Sequence, residues 1–173
     1  IENVKAALHQ MVDELGPQGR LGIAIYGTNS LVHLTPMAVG GNKASLHASI
    51  DAIAIDGSTN MEAGLKLGID AALAEAAQFS GKTRLMLFTD EQPNTGRTDA
   101  LGFMGLAETA SRAGIGMTTI GVGVQYDGAL ATKISSVRGG NLFFIDGPAK
   151  GKALMEKEFR NMISEVAHDL VMT

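Results

Sequence analysis

Cysteine is absent from this chain of 173 residues, which excludes disulfides and thiol catalysis and leaves the compartment open. Charge is sparse: 18% of residues are Asp, Glu, Lys or Arg, the formal net charge is -4, and the scattered Lys and Arg form no basic stripe. Nucleic acid is therefore a poor partner. Long apolar runs are missing too. The longest are strand-sized, far short of the roughly 20 residues of a membrane span, so this domain makes no membrane contact of its own. No targeting segment is visible. Gly121-Val122-Gly123 lacks the third glycine of a dinucleotide loop and reads as a strand-to-loop exit.

What is present points to a layered α/β domain. Hydrophobic residues make up 45% of the chain and glycine contributes 22 positions, a composition suited to a sheet with many tight βα turns. The length fits one domain, 1–173, large enough to bury most of its apolar surface. Val4, Leu8, Met11, Val12 and Leu15 recur at helical spacing. After the turn Gly16-Pro17-Gln18-Gly19, strands over Arg20 to Tyr26 and Leu31 to Leu34 predict an antiparallel hairpin. Helical spacing returns from Asn42 to Ile53 and again from Met61 to about Ala77. A strand over Thr83 to Thr89 then leads to a helix from Thr98 to Ala113, ended by Gly114. Ile115 to Val122 is a strand, Gly128 to Val137 a short helix and Asn141 to Ile145 the last strand. Pro148 opens the final helix, with Met155, Phe159, Met162, Ile163, Val166 and Leu170 on its core face. Alternating strands and helices imply a doubly wound, mostly parallel sheet with one antiparallel edge strand and right-handed crossovers.

In such a sheet ligands sit beyond the carboxyl ends of the strands, and two short stretches converge there. The helix after Gly57-Ser58-Thr59-Asn60 runs roughly 25 Å at 1.5 Å per residue. The strand that ends at Thr89 returns about 23 Å at 3.3 Å per residue. Thr59 and Asp90 thus finish side by side, a hydroxyl and a carboxylate that suit a hard metal ion. Each also has an ordinary structural use: Thr before a helix as an N-cap, Asp after a strand as a turn residue. Pro93-Asn94-Thr95-Gly96 is turn chemistry. His9, His33, His47 and His168 are dispersed and read as surface or boundary residues, and the nine Met residues as packing.

Thr59 with Asn60 and the Ala63-Gly64-Leu65 run behind it, Asp90 after its apolar strand, and Ile120-Gly121-Val122-Gly123-Val124 followed by Gly139-Gly140-Asn141-Leu142-Phe143-Phe144 resemble the von Willebrand factor type A domains. Within that family the chain looks most like domains of bacterial exported or membrane-anchored proteins and of the calcium-activated chloride channel regulator group. The resemblance implies a Rossmann-like fold and a metal-ion-dependent adhesion site, with Thr59 and Asp90 as ligands of Mg²⁺, or of Mn²⁺ or Ca²⁺. In the family an upstream Asp-x-Ser-x-Ser motif completes the site at the end of a central first strand. No such motif occurs in this sequence, and no initiator methionine precedes Ile1. The resemblance therefore implies an N-terminally incomplete domain, with the strand and its ligands upstream and metal binding weakened accordingly. A second departure is Glu91, where the family has glycine.

Mg²⁺ requires six oxygens and keeps several waters. A low count of anionic ligands keeps the ion electrophilic, which suits gripping the carboxylate of a partner protein and supplies no route to catalysis. The expected function is a protein-binding, adhesion-type module, with Ser58, Asn60, Glu91 and Asn94 around the partner's position and a periplasmic, extracellular or membrane-anchored parent. The alternatives are a metal-assisted hydrolase of doubly wound fold using Asp90, and a scaffold domain whose metal site has decayed.

Overall fold

The apolar spacing of the first residues is realised as α1 (Glu2–Glu14), which buries Ala7, Leu8, Met11 and Val12 in a computed structural model that describes residues 1–54, 57–90, 94, 96, 98–123 and 127–163. Strands β1 (Arg20–Tyr26) and β2 (Ser30–Ala38) follow, then α2 (Lys43–Asp51), α3 (Met61–Ala76), β3 (Arg84–Thr89), α4 (Ala100–Arg112), β4 (Gly116–Val122), α5 (Gly128–Ser135), β5 (Gly140–Ile145) and α6 (Pro148–Ile163). Gly114 closes α4 at a φ of 78°, a left-handed conformation that only glycine adopts without strain. The core face of α6 holds at Met155, Phe159 and Met162, while Val166, Leu170 and His168 lie outside the described residues.

The second strand is longer than its sequence pattern indicates. Thr35-Pro36 interrupts the apolar run, yet β2 continues to Ala38 because the β1–β2 register shifts between Leu21 and Ile23. Proline is tolerated where a bulge interrupts the ladder, and Gly22 makes room for it: a Cβ there would lie 2.8 Å from Pro36 Cγ.

Strands β3, β4 and β5 form one parallel sheet in that order, and β1 with β2 forms a separate antiparallel pair. All seven residues of β4 are buried, as expected of a strand flanked on both edges and covered on both faces. Its side chains alternate between two cores. Ile120 and Val122 join Leu8, Met11, Val12, Leu46, Ile50 and Phe159, from α1, α2 and α6. Met117 joins Leu65, Ile69, Phe103, Ala107 and Ile134, from α3, α4 and α5. This is the doubly wound arrangement, helices on both faces.

The continuous sheet expected from sequence is divided between β1 and β3 among the described residues. A side chain crosses the division: the Tyr26 hydroxyl donates to the Phe88 carbonyl over 2.7 Å. Gly64 on α3 allows Tyr26 this position, since a Cβ at residue 64 would come within 2.4 Å of Tyr26 Cβ. At the amino end of the parallel sheet, half-buried Arg84 ties β3 to β4 and to the turn that enters β5. Its Nε donates to Thr118 Oγ1 (2.8 Å) and its Nη2 to the Gly139 carbonyl (2.9 Å). The loops at the carboxyl end are left to form a site.

Candidate functional site

Thr59 stands two residues before α3 and its main chain is fixed from the opposite loop. Its N–H donates to Asn94 Oδ1 over 2.9 Å, and its carbonyl accepts from the Asn94 N–H over 3.2 Å. Asn94 belongs to the loop that Asp90 opens. This two-bond clamp joins the segment carrying the threonine to the segment carrying the aspartate, the juxtaposition that helix and strand lengths predict. Asp90 follows buried Thr89 and is exposed.

The other side of the Thr59 loop is held by the β1–β2 turn. Thr28 Oγ1 accepts from the Ser58 N–H over 3.1 Å and lies 3.5 Å from Ser58 Oγ, while the Asn60 N–H donates to the Gly27 carbonyl over 3.3 Å. Gly57, at a φ of 51°, permits the contact, because a Cβ there would fall 2.2 Å from Thr28 Oγ1. Sequence reasoning assigns Thr28 no role. Its signal is a hydroxyl in the short turn Gly27-Thr28-Asn29-Ser30, but the partner is 30 positions away.

The expected partner-facing residues thus use their polar groups to build the loop. Asn60, not Thr59, caps α3: its Oδ1 accepts from the Ala63 N–H over 3.1 Å. Asn94 spends its side-chain oxygen on Thr59, and Ser58 is engaged with Thr28. Glu91 lies outside the described residues. Replacing Asn60 with alanine should cost about 1 kcal/mol, the usual value of an N-cap, measurable by urea unfolding. An unchanged midpoint would show that the cap contributes nothing.

The donor chemistry fits a hard divalent cation in kind, since a hydroxyl and a carboxylate are oxygen donors of the type Mg²⁺ and Mn²⁺ prefer. In number it is short. Among the described residues no group of three or more His, Asp or Glu is placed to hold a metal ion. Thr59 and Asp90 would supply at most two of the six positions such an ion requires.

Comparisons with known proteins agree with this architecture. The family model described as von Willebrand factor type A domain matches residues 1–156. The Escherichia coli (strain K12) protein YfbK is 31% identical over 168 residues, which is 96% of this chain and 29% of YfbK. The chain spans about a third of the length of the curated relatives it matches, 29% and 37%. Proximal thread matrix protein 1 of the mussel byssus, solved with a zinc-occupied MIDAS motif, superposes with a TM-score of 0.70 at 20% identity, over 93% of this chain and 39% of that one. An aerotolerance-related membrane protein from Bacteroides fragilis, carrying multiple mutations to serines, gives a TM-score of 0.70 at 16% identity, over 93% of this chain and 88% of its own. Among the described residues no helix is long and apolar enough to cross a membrane.

Proposed function

Because the chain belongs to the von Willebrand factor type A domain family, we propose that it is a protein-binding module in which a hard divalent cation at Thr59 and Asp90 grips a carboxylate of another protein. The observation that carries this reading is the clamp between Thr59 and Asn94. It secures the hydroxyl-bearing segment against the loop of the carboxylate before any ligand arrives, so less order has to be imposed on binding. When bound, the cation supplies an electrophilic position for an acidic side chain. Thr59 and Asp90 would hold it, Asn94 and Thr28 keep the loop in place, and Asn60 fixes the start of α3.

Binding rather than catalysis is the better reading of the same residues. The Ser58 hydroxyl, next to Thr59 in the chain, lies against another hydroxyl, Thr28 Oγ1, at 3.5 Å. A serine nucleophile needs a base at hydrogen-bond reach, and a threonine hydroxyl is not one. We also place the parent protein at the membrane or beyond it. A structural neighbour is a membrane protein and another is a pilus adhesin, SpaC from Lactobacillus rhamnosus GG.

Calorimetric titration of Mn²⁺ or Mg²⁺ into the native protein and into Asp90→Ala tests this reading. The expected result is saturable heat with the native protein and none with Asp90→Ala, while Thr59→Ala weakens the binding. Equal heats from native protein and Asp90→Ala, or no heat from either, would overturn it.

A further inference from the structure

His9 on α1 and His47 on α2 are 38 positions apart in the chain, yet their Nδ1 atoms lie 2.7 Å from one another. The ring planes are inclined by only 25° with centroids 4.9 Å apart, so the facing nitrogens stand between the centroids. This is the end-to-end placement of an N–H···N hydrogen bond rather than a face-to-face stack. On the far side of each ring is a carboxylate: His9 Nε2 is 3.0 Å from Asp51 Oδ1, and His47 Nε2 is 3.6 Å from Asp13 Oδ1. The sequence carries the pattern His-x-x-x-Asp twice, at His9 and Asp13 and at His47 and Asp51. Each aspartate sits one helical turn beyond the histidine of its own helix and faces the histidine of the other.

Counting ring protons limits the states this cluster can adopt. An ionised carboxylate only accepts, so His9 Nε2, in hydrogen-bond contact with Asp51, carries a hydrogen. In a neutral His9 the Nδ1 is then an acceptor, and the hydrogen between the rings belongs to His47 Nδ1. A neutral His47 would turn the lone pair of its Nε2 toward the Asp13 carboxylate. One added proton there replaces that repulsion with an ion pair. Two zinc–nitrogen bonds of roughly 2.0–2.1 Å in tetrahedral geometry do not fit between nitrogens 2.7 Å apart, whereas a proton does.

We propose that the hydrogen bond between His9 and His47, braced at the outer nitrogens by Asp51 and Asp13, is an acid-sensitive clasp between α1 and α2 with room for only one added proton. A second proton leaves N–H facing N–H with no acceptor, and the contact must open. Four charged groups bear on the pair. Besides the two carboxylates, Lys43 Nζ is 3.7 Å from Asp13 Oδ1 and Lys5 Nζ donates to the Asp51 carbonyl over 2.9 Å. The groups from other elements packed on these helices engage elsewhere: Arg160 of α6 lies 3.8 Å from Glu14, and His33 Nε2 of β2 meets the Ser49 carbonyl at 2.8 Å. In the unfolded chain each imidazole takes its own proton on acidification, while the intact clasp takes one for two rings. Below the ordinary histidine range, about pH 6.5, the unfolded state therefore binds more protons than the clasp can hold, and stability falls as pH falls further.

Two measurements test the clasp. In ¹⁵N-labelled protein at neutral pH, a scalar coupling between the Nδ1 atoms of His9 and His47 across the hydrogen bond is expected, with hydrogen on His9 Nε2. No coupling, or a bare His9 Nε2, would overturn the proposal. Thermal unfolding at about pH 6.5 and about pH 5, the range over which an unfolded histidine takes up most of its proton, gives the second readout. The Tm of the native protein should fall on acidification by roughly 2–4 °C more than that of His47→Gln, a shift of the size expected from one modest interaction in a domain of this length. Equal falls would mean that the pair is not a clasp.

Discussion

Replacing Phe103 with alanine should remove about 3–5 kcal/mol of folding stability, the usual cost of emptying a buried aromatic site. Phe103 is 0% exposed and lies on α4 in the core formed with Leu65, Ile69, Met117 and Ile134. Three secondary-structure elements close around that ring, so the neighbours cannot all collapse into the space it leaves. A domain typically has only about 5–15 kcal/mol to lose, and the variant would sit close to unfolding at ambient temperature. Urea unfolding of native protein and variant should show a lower midpoint with an unchanged slope. Leu101, two positions earlier on the same helix and 80% exposed, is the control: Leu101→Ala should stay within about 0.5 kcal/mol. Similar costs at the two positions would show that α4 does not present the face described.

Adding one methyl group at Gly140 should be nearly as damaging, for the opposite reason. A Cβ there would fall 2.1 Å from the Ser135 carbonyl oxygen and 2.8 Å from that of Val137. These are backbone atoms at the end of α5 and in the turn beyond it, and they cannot swing aside as a flexible side chain would. The Gly140 N–H also donates to the Val137 carbonyl over 2.8 Å, so displacement strains a turn that enters β5. Overpacking usually costs about 1–3 kcal/mol, and Gly140→Ala should reach or exceed the upper end. Gly105 on α4 provides the contrast, because a Cβ there meets nothing within 4 Å. Gly105→Ala should stabilise by up to about 1 kcal/mol through helix propensity alone. The same substitution would then shift the urea midpoint in opposite directions at the two positions, and shifts of the same sign would contradict the packing at one of them.

Local periodicity carried much of the fold. The apolar stripes of α1 and α6, the strand-sized run of β4 and the Gly114 stop after α4 follow from side chains a few positions apart, and the structure keeps them with shifts of one or two residues. The joining of the Thr59 and Asp90 segments was legible for a related reason: a helix and a strand of similar length bring the chain back to the edge it left. The extent of β2 was less legible, since Pro36 ends a strand by local rules and is accommodated only by a bulge opposite Gly22 on another strand. The family resemblance was visible in the same local runs, and the match over residues 1–156 bears it out.

Contacts made across the chain were a different matter. The clamp of Asn94 on Thr59, the support of Ser58 by Thr28 and the meeting of His9 with His47 join residues separated by 35, 30 and 38 positions. A dispersed set of histidines in sequence contains a pair in space, because two helices pack with one turn of each in register. The division between β1 and β3 is likewise invisible in either strand, whose apolar patterns are those of strands inside a continuous sheet. By itself the sequence determined the elements, their order and the edge at which a site could form, since these depend on helix and strand periodicity and on turn chemistry. Only the tertiary structure decided which polar side chains are used to hold the site loop and which titratable groups face each other, because each of those outcomes depends on where a second, distant segment comes to rest.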